Sequence, residues 1–196
     1  LRTFFLSTFF PYKIFTDCKI YEPLNFRRSY NFAFNGYFEF EEITFLMHYL
    51  DRNDIFFDIG ANIGLYTIAA SKSDIKYIHA FEPSKNTITY LYKNVETNNI
   101  SQRVIINKLA ISDQEQQLMI TEGMNVSNKI LNNNIKYSNL NLPYEIVKAS
   151  TLDNYCSKNN VIPTFLKIDI EGFELNAIKG CINVLTNKKL NVIQLE

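Results

Sequence analysis

Four carboxylates stand where short apolar runs come to an end. Asp58 lies in IFFDI (55–59), Glu82 follows KYIHAF (76–81), Asp169 lies in FLKIDI (165–170), and Glu196 closes NVIQLE (191–196). Acids in such positions can hold a cation, accept sugar hydroxyls or take up a proton. The first opens the stretch Asp58-Ile-Gly60-Ala-Asn62-Ile-Gly64, which then runs into LYTIAASK (65–72). A dinucleotide turn has Gly-x-Gly-x-x-Gly, whose glycines bring backbone N–H groups up to a pyrophosphate. Here an aspartate occupies the first glycine's place. A carboxylate repels pyrophosphate but attracts the ammonium of an amino acid, and S-adenosylmethionine carries an ammonium and no phosphate. Gly60 suits a sharp turn, Asn62 tolerates the left-handed conformation, and Gly64 lets the next helix pack close to the strand. Glu82, eighteen residues after Gly64, can accept both hydroxyls of a ribose, which supports any adenosine cofactor.

The elements that must position these groups alternate. EEITFLMHYL (41–50) repeats Ile43, Leu46, Met47 and Leu50 on one helical face. IFFDI and KYIHAF have the continuous apolar character of strands buried on both sides. Ser84 is a candidate N-cap for a helix carrying Ile88, Leu91, Tyr92 and Val95. RVIINKLAI (103–111) is expected as a third strand, and QQLMIT (116–121) and EIVKAS (145–150) as two more around the Asn-rich loop 131–143. TLDNYCSK (151–158) is a short helix capped by Thr151. FLKIDI is the fourth core strand, followed by a helix with Leu175, Ile178, Ile182 and Leu185 on one face. NVIQLE is the fifth. Strands alternating with helices indicate an α/β fold with a Rossmann-like, doubly wound parallel sheet, whose ligands sit beyond the carboxyl ends of the strands.

The 196 residues suffice for one domain with a sizeable core. Twenty Lys and Arg balance twenty Asp and Glu. A nucleic-acid partner is therefore not expected, since phosphate binding needs an excess of positive charge. Three widely spaced cysteines, Cys18, Cys156 and Cys181, suit a reducing, cytoplasmic setting better than a disulfide framework or a zinc site. The sequons at Asn99 and Asn125 are accordingly expected to be bare. No apolar run is long enough for a membrane span. Residues 1–34 form an aromatic arm, expected to be buried or docked, ahead of a domain at 35–196. The aromatics Tyr30, Phe32, Phe34, Tyr37, Phe38 and Phe40 suit a core better than a sugar-stacking surface.

Several segments together resemble the FkbM family of the class I S-adenosylmethionine-dependent methyltransferases. They are NGYFEFEEITFL (35–46), FFDIGANIGLYT (56–67), AFEPS (80–84), LAISD (109–113), TLDNY (151–155) and LKIDIEGFELNAIKG (166–180), covering residues 35–196. The resemblance implies S-adenosylmethionine as cofactor, held by Asp58, Gly60, Asn62, Gly64, Glu82 and Ala110. It implies O-methylation of a hydroxyl on a sugar, glycolipid or secondary metabolite. Class I members normally add an antiparallel C-terminal strand pair, which would follow Glu196. The chain also begins with Leu rather than Met. It therefore reads as an excerpt, or as a chain whose fifth-strand edge another element covers or another chain pairs with.

Methyl transfer to a hydroxyl requires alignment, exclusion of water and removal of a proton. Asp169 and Glu171 are the catalytic candidates. The competing role for Glu171 and Glu174 is to favour a helix N-terminus. Lys167, one strand period from Asp169, is a candidate ion partner. Asp169 and Glu196 together could hold Mg²⁺, but no third ligand is evident and no metal is expected. His79 suits the core, and His48 the surface rather than an acceptor pocket. The competing functions are an NAD-type oxidoreductase, disfavoured by Asp58, and a non-catalytic domain retaining the fold, disfavoured by the intact turn.

Overall fold

The computed structural model describes residues 12–15, 18–21, 39–121, 130–131 and 143–196. Three strands account for the centre of the molecule: β3 (Ile55–Ile59), β4 (Tyr77–Phe81) and β10 (Phe165–Ile168). Almost every residue in them is buried, which explains their unbroken apolar character. β5 (Val104–Asn107) and β11 (Val192–Leu195) flank them, and the order β11-β10-β3-β4-β5 is parallel throughout. The order reverses between β3 and β10, so the switch point lies at the ends of those two strands, the ligand position in open α/β sheets.

One face packs Phe56, Ile78 and Phe165 against α1 (Phe40–Tyr49), α2 (Leu65–Ala70) and α3 (Lys85–Thr97), through Leu46, Ile68 and Leu91. The other packs Phe57, Phe81, Leu166 and Ile168 against α4 (Leu152–Asn159), α5 (Glu174–Lys179) and α6 (Ile182–Leu185). Full burial of one such aromatic stabilises by roughly 1.5–3 kcal/mol. Ser84 caps α3 by accepting from the Thr87 N–H at 3.4 Å, and Thr151 caps α4 by accepting from the Asn154 N–H at 3.0 Å.

Three expectations are corrected. The apolar run 103–111 is two strands, because Lys108 and Leu109 divide β5 from β6 (Ala110–Ile111). β6 leaves the core for a second sheet, in the order β6-β9-β7-β8, with β7 (Gln116–Thr121), β8 (Ile130–Leu131) and β9 (Tyr144–Ser150). The helix after β10 is broken at Gly180. Leu175 and Ile182 are more than half exposed, and Ala177, Cys181 and Val184 form the buried stripe. On α3, Tyr92 is exposed and the fully buried Asn94 lies on the inner face.

Asn94 has a structural task. An N-terminal hairpin, β1 (Tyr12–Phe15) and β2 (Cys18–Ile20), lies against α3. The Asn94 amide accepts from the Tyr21 N–H at 2.6 Å and donates to the Tyr21 carbonyl at 3.0 Å. One turn on, Asn98 repeats this with Lys19, at 2.9 and 2.6 Å. The two side chains thus stand in for a neighbouring strand. Cys18 and Ile20 are buried beneath it. The aromatic segment 30–38, the Phe40 side chain, Asn125 and loop residues 132–142 fall outside the described residues.

Candidate functional site

The turn after β3 has three left-handed residues, Gly60 at φ 82°, Asn62 at φ 52° and Gly64 at φ 97°. Gly60 is required twice over. Its backbone is left-handed, and a Cβ there would overlap the carbonyl oxygen of Asp169. Gly64 packs differently from the expectation: its close neighbour is Leu91 of α3, 2.7 Å from where a Cβ would lie, and not the strand. The Phe81 carbonyl accepts from the Gly60 and Ala61 N–H groups at 3.0 and 2.9 Å, tying the turn to β4. Asn94 donates to the Ile63 carbonyl at 2.7 Å, tying it to α3.

Glu82 is buried and bridges two loops. One oxygen accepts from the Asn62 N–H at 3.0 Å and the other from the Ser84 N–H at 2.9 Å. Burial pushes its carboxyl up to about 7, against the pull of those two N–H groups. A carboxylate has about four lone-pair sites, so two remain for hydroxyl donors.

Asp58 lies one residue before the cleft and is 1% exposed. Its Oδ2 accepts from the Thr67 hydroxyl at 2.7 Å, while Oδ1 is buried without a hydrogen-bond partner. Burial pushes the carboxyl above the usual range, and the nearby Lys167 charge pulls it down. An unsatisfied buried carboxylate oxygen is costly unless a cation meets it. This atom therefore suits an ammonium. Thr67 lies inside the FFDIGANIGLYT motif, but its spacing gave no sign that it would hold Asp58.

On the first face of the sheet, side chains change character toward the strand ends. Phe56, Ile78, Phe165 and Val192 form one row; one strand period on, the row is Asp58, Ala80, Lys167 and Gln194. Lys167 is 1% exposed. Its Nζ lies 2.9 Å from Asp169 Oδ2, as the spacing predicted, and 4.2 Å from the Tyr66 ring centre. Burial, then a hydrogen bond to Glu39, keeps the Tyr66 phenol protonated. The Glu196 N–H donates to the Ile168 carbonyl at 3.2 Å, which brings the end of β11 beside that of β10. No group of three His, Cys, Asp or Glu side chains able to hold a metal ion occurs among the described residues.

A cleft opens over the strand ends. Gly60, Asn62, Glu82, Ala110, Asp169 and Glu171 all line it, so six of the eight named candidates converge there. Asp58 and Gly64 do not line it. Leu109, Ile111 and Ile120 supply an apolar wall that sequence reasoning missed, because β6 and β7 belong to the second sheet. Glu171 is exposed and left-handed at φ 53°. Glu174 accepts from the Ile170 and Gly172 N–H groups at 3.3 and 2.8 Å, so it shapes the loop. His79 is buried and bonded to the Tyr155 hydroxyl at 2.8 Å, a core position; His48 is exposed.

Residues 58–196 match the family model described as Methyltransferase FkbM domain. The chain belongs to that family. This FkbM domain is 23% identical over 159 residues to Hexuronic acid methyltransferase AglP of Haloferax volcanii, covering 80% of this chain and 62% of the relative. The crystal structure of Methyltransferase FkbM from Methylobacillus flagellatus KT superposes on it with a TM-score of 0.51 at 18% identity. That match covers 74% of this chain and 33% of the other, and at this identity it shows the fold alone. The FkbM domain thus spans about three-fifths of the curated relative and a third of the solved chain.

Proposed function

We propose that the protein is an S-adenosylmethionine-dependent O-methyltransferase acting on a hydroxyl of a sugar, glycolipid or secondary metabolite. The observation that carries this reading is the unsatisfied buried Oδ1 of Asp58, beneath a turn joined to Glu82. In this reading Asp58 meets the ammonium and Glu82 accepts the ribose hydroxyls. Ala110, with Leu109 and Ile111, covers the adenine, while Gly60, Asn62 and Gly64 shape the backbone around the cofactor. When bound, S-adenosylmethionine supplies a methyl group already activated on a sulfonium.

The protein's own work is then positioning and proton removal. Asp169 is held at Oδ2 by Lys167, which leaves Oδ1 to accept the proton of an acceptor hydroxyl. Glu171, on the cleft rim, orients that acceptor. No metal enters this scheme. The relative described as a hexuronic acid methyltransferase supports a sugar acceptor. The even charge balance supports a small molecule rather than a nucleic acid. No helix among the described residues is long and apolar enough to cross a membrane. The three cysteines are buried and form no disulfide, which supports a reducing, cytoplasmic setting.

The test is incubation of cell extract with the protein and methyl-labelled S-adenosylmethionine, followed by mass spectrometry. A labelled ether on a hydroxyl-bearing small molecule is expected. Label on carboxyl groups alone, or a requirement for NAD, would overturn the proposal.

A further inference from the structure

Among the described residues Lys167 is the only buried Lys or Arg, and the scheme above uses it only through Asp169. In register it stands directly opposite Asp58 on β3 and opposite Gln194 on β11. The groups around it come from every neighbouring element. Asp58 lies on β3, Asp169 at the end of β10, Tyr66 on α2 and Gln194 on β11, with Glu196 at that strand's end. Glu39 and Glu42, at the start of α1, bear on Tyr66. One buried ammonium is thus paired with Asp169 and stands on the neighbouring strand opposite Asp58, where its charge is felt, with an aromatic face beside it.

A buried carboxylate with an empty lone pair tends to protonate. A protonated Asp58 would be neutral and would lose its attraction for a cation. Two carboxylates in one site raise each other further, and a cation between them is the opposing influence. We propose that Lys167 is a positioning residue that keeps Asp58 ionised, so that its carboxylate is ready for the ammonium of the cofactor's amino-acid tail. Lys167 touches no reacting atom; it acts through Asp58. This inference rests on the S-adenosylmethionine reading.

The experiment compares S-adenosylhomocysteine with 5′-methylthioadenosine, which shares the adenosine but lacks the amino-acid tail. Calorimetric affinities are measured over roughly pH 6.5 to 8.5, and their ratio isolates the tail because effects on Glu82 and the adenosine wall cancel. In wild type the ratio favours S-adenosylhomocysteine and stays level with pH. In Lys167→Met it acquires a slope, rising up to about tenfold per pH unit as Asp58 loses its proton. In Lys167→Met/Asp58→Asn the slope vanishes. A level ratio in Lys167→Met overturns the proposal, since a purely structural lysine would alter affinity without adding a titration.

The wild-type measurement keeps the idea falsifiable if Lys167→Met fails to fold. A wild-type ratio that already falls tenfold on acidification shows that Lys167 does not hold Asp58 ionised. Equal wild-type affinities for the two nucleosides also overturn the proposal while leaving an adenosine site standing. If neither nucleoside binds wild type, it is the S-adenosylmethionine reading that fails.

Discussion

Gly60 and Asp169 touch backbone to backbone: a Cβ on Gly60 would occupy the place of the Asp169 carbonyl oxygen. The ends of β3 and β10 can meet only because one of them lacks a side chain. The Asp169 N–H donates to the Ile59 carbonyl at 3.0 Å, so the same contact fixes where the candidate base stands. Gly60→Ala is expected to force these tips apart. Strain at a left-handed residue alone costs about 1–3 kcal/mol, and the overlap adds to it. Urea denaturation should show a loss of at least about 2 kcal/mol, with S-adenosylhomocysteine no longer raising the midpoint.

Glu82→Gln tests the buried acid. The folded carboxyl is pushed up to about 7 from an ordinary 4.5, so the folded chain holds this proton more tightly than the unfolded one. Its contribution to stability is therefore present below the unfolded value and is lost as pH rises through about 7. The swing is on the order of 3 kcal/mol. Relative to Glu82→Gln, the wild type should lose stability between about pH 5 and pH 8, followed by denaturation at each pH. A constant difference across that window would refute the assignment.

Tyr155→Phe should weaken the join between β4, α4 and β5. The Tyr155 hydroxyl donates to Asn107 Oδ1 at 3.0 Å, which leaves His79 Nδ1–H to donate to it at 2.8 Å. Removing the oxygen strands two partly buried groups, for an expected loss of about 1–3 kcal/mol. Burial also lowers the His79 imidazole to about 4. A depressed histidine contributes stability above its unfolded value of 6.5, lost as pH falls toward 4. The acid limb of wild-type stability, measured by thermal melts, should carry this component.

Asp169→Asn separates binding from chemistry. The amide keeps the shape of the carboxylate but cannot take up a proton. Turnover with an identified acceptor should fall by about 10²- to 10⁴-fold, while the S-adenosylhomocysteine melting shift persists. An equal loss of both would make Asp169 part of the cofactor cradle instead.

The parts of the fold that were legible in the sequence are those where one physical signal dominated. IFFDI is β3 to the residue, because a strand buried on both faces has no polar interruption except Asp58. The converging acids were legible because strand ends meet at the switch point. The break between β5 and β6 was hidden, since both halves are apolar and only packing shows that they enter different sheets. The stripe on α5 and α6 was misjudged because its inner face is built from smaller residues, Ala177, Gly180, Cys181 and Val184, at a place where a Cβ on Gly180 would overlap the Ser112 carbonyl oxygen, while the larger Leu175 and Ile182 lie outside. Asn94 went unnoticed because an amide on an apolar face looks like surface until its backbone partners are known. Thr67 was hidden for the same reason, its partner being a side chain nine residues away.

The Asn94 amide has one further consequence. The same nitrogen that donates to the Ile63 carbonyl in the turn also donates to the Tyr21 carbonyl beside the hairpin. A ligand that quiets the turn should therefore also quiet the chain at Tyr21, which does not line the cleft. Deuterium uptake at the Tyr21 amide, which donates to Asn94, becomes a gauge of occupancy, slowing when the cleft is filled and quickening again in Asn94→Ala whether it is filled or not.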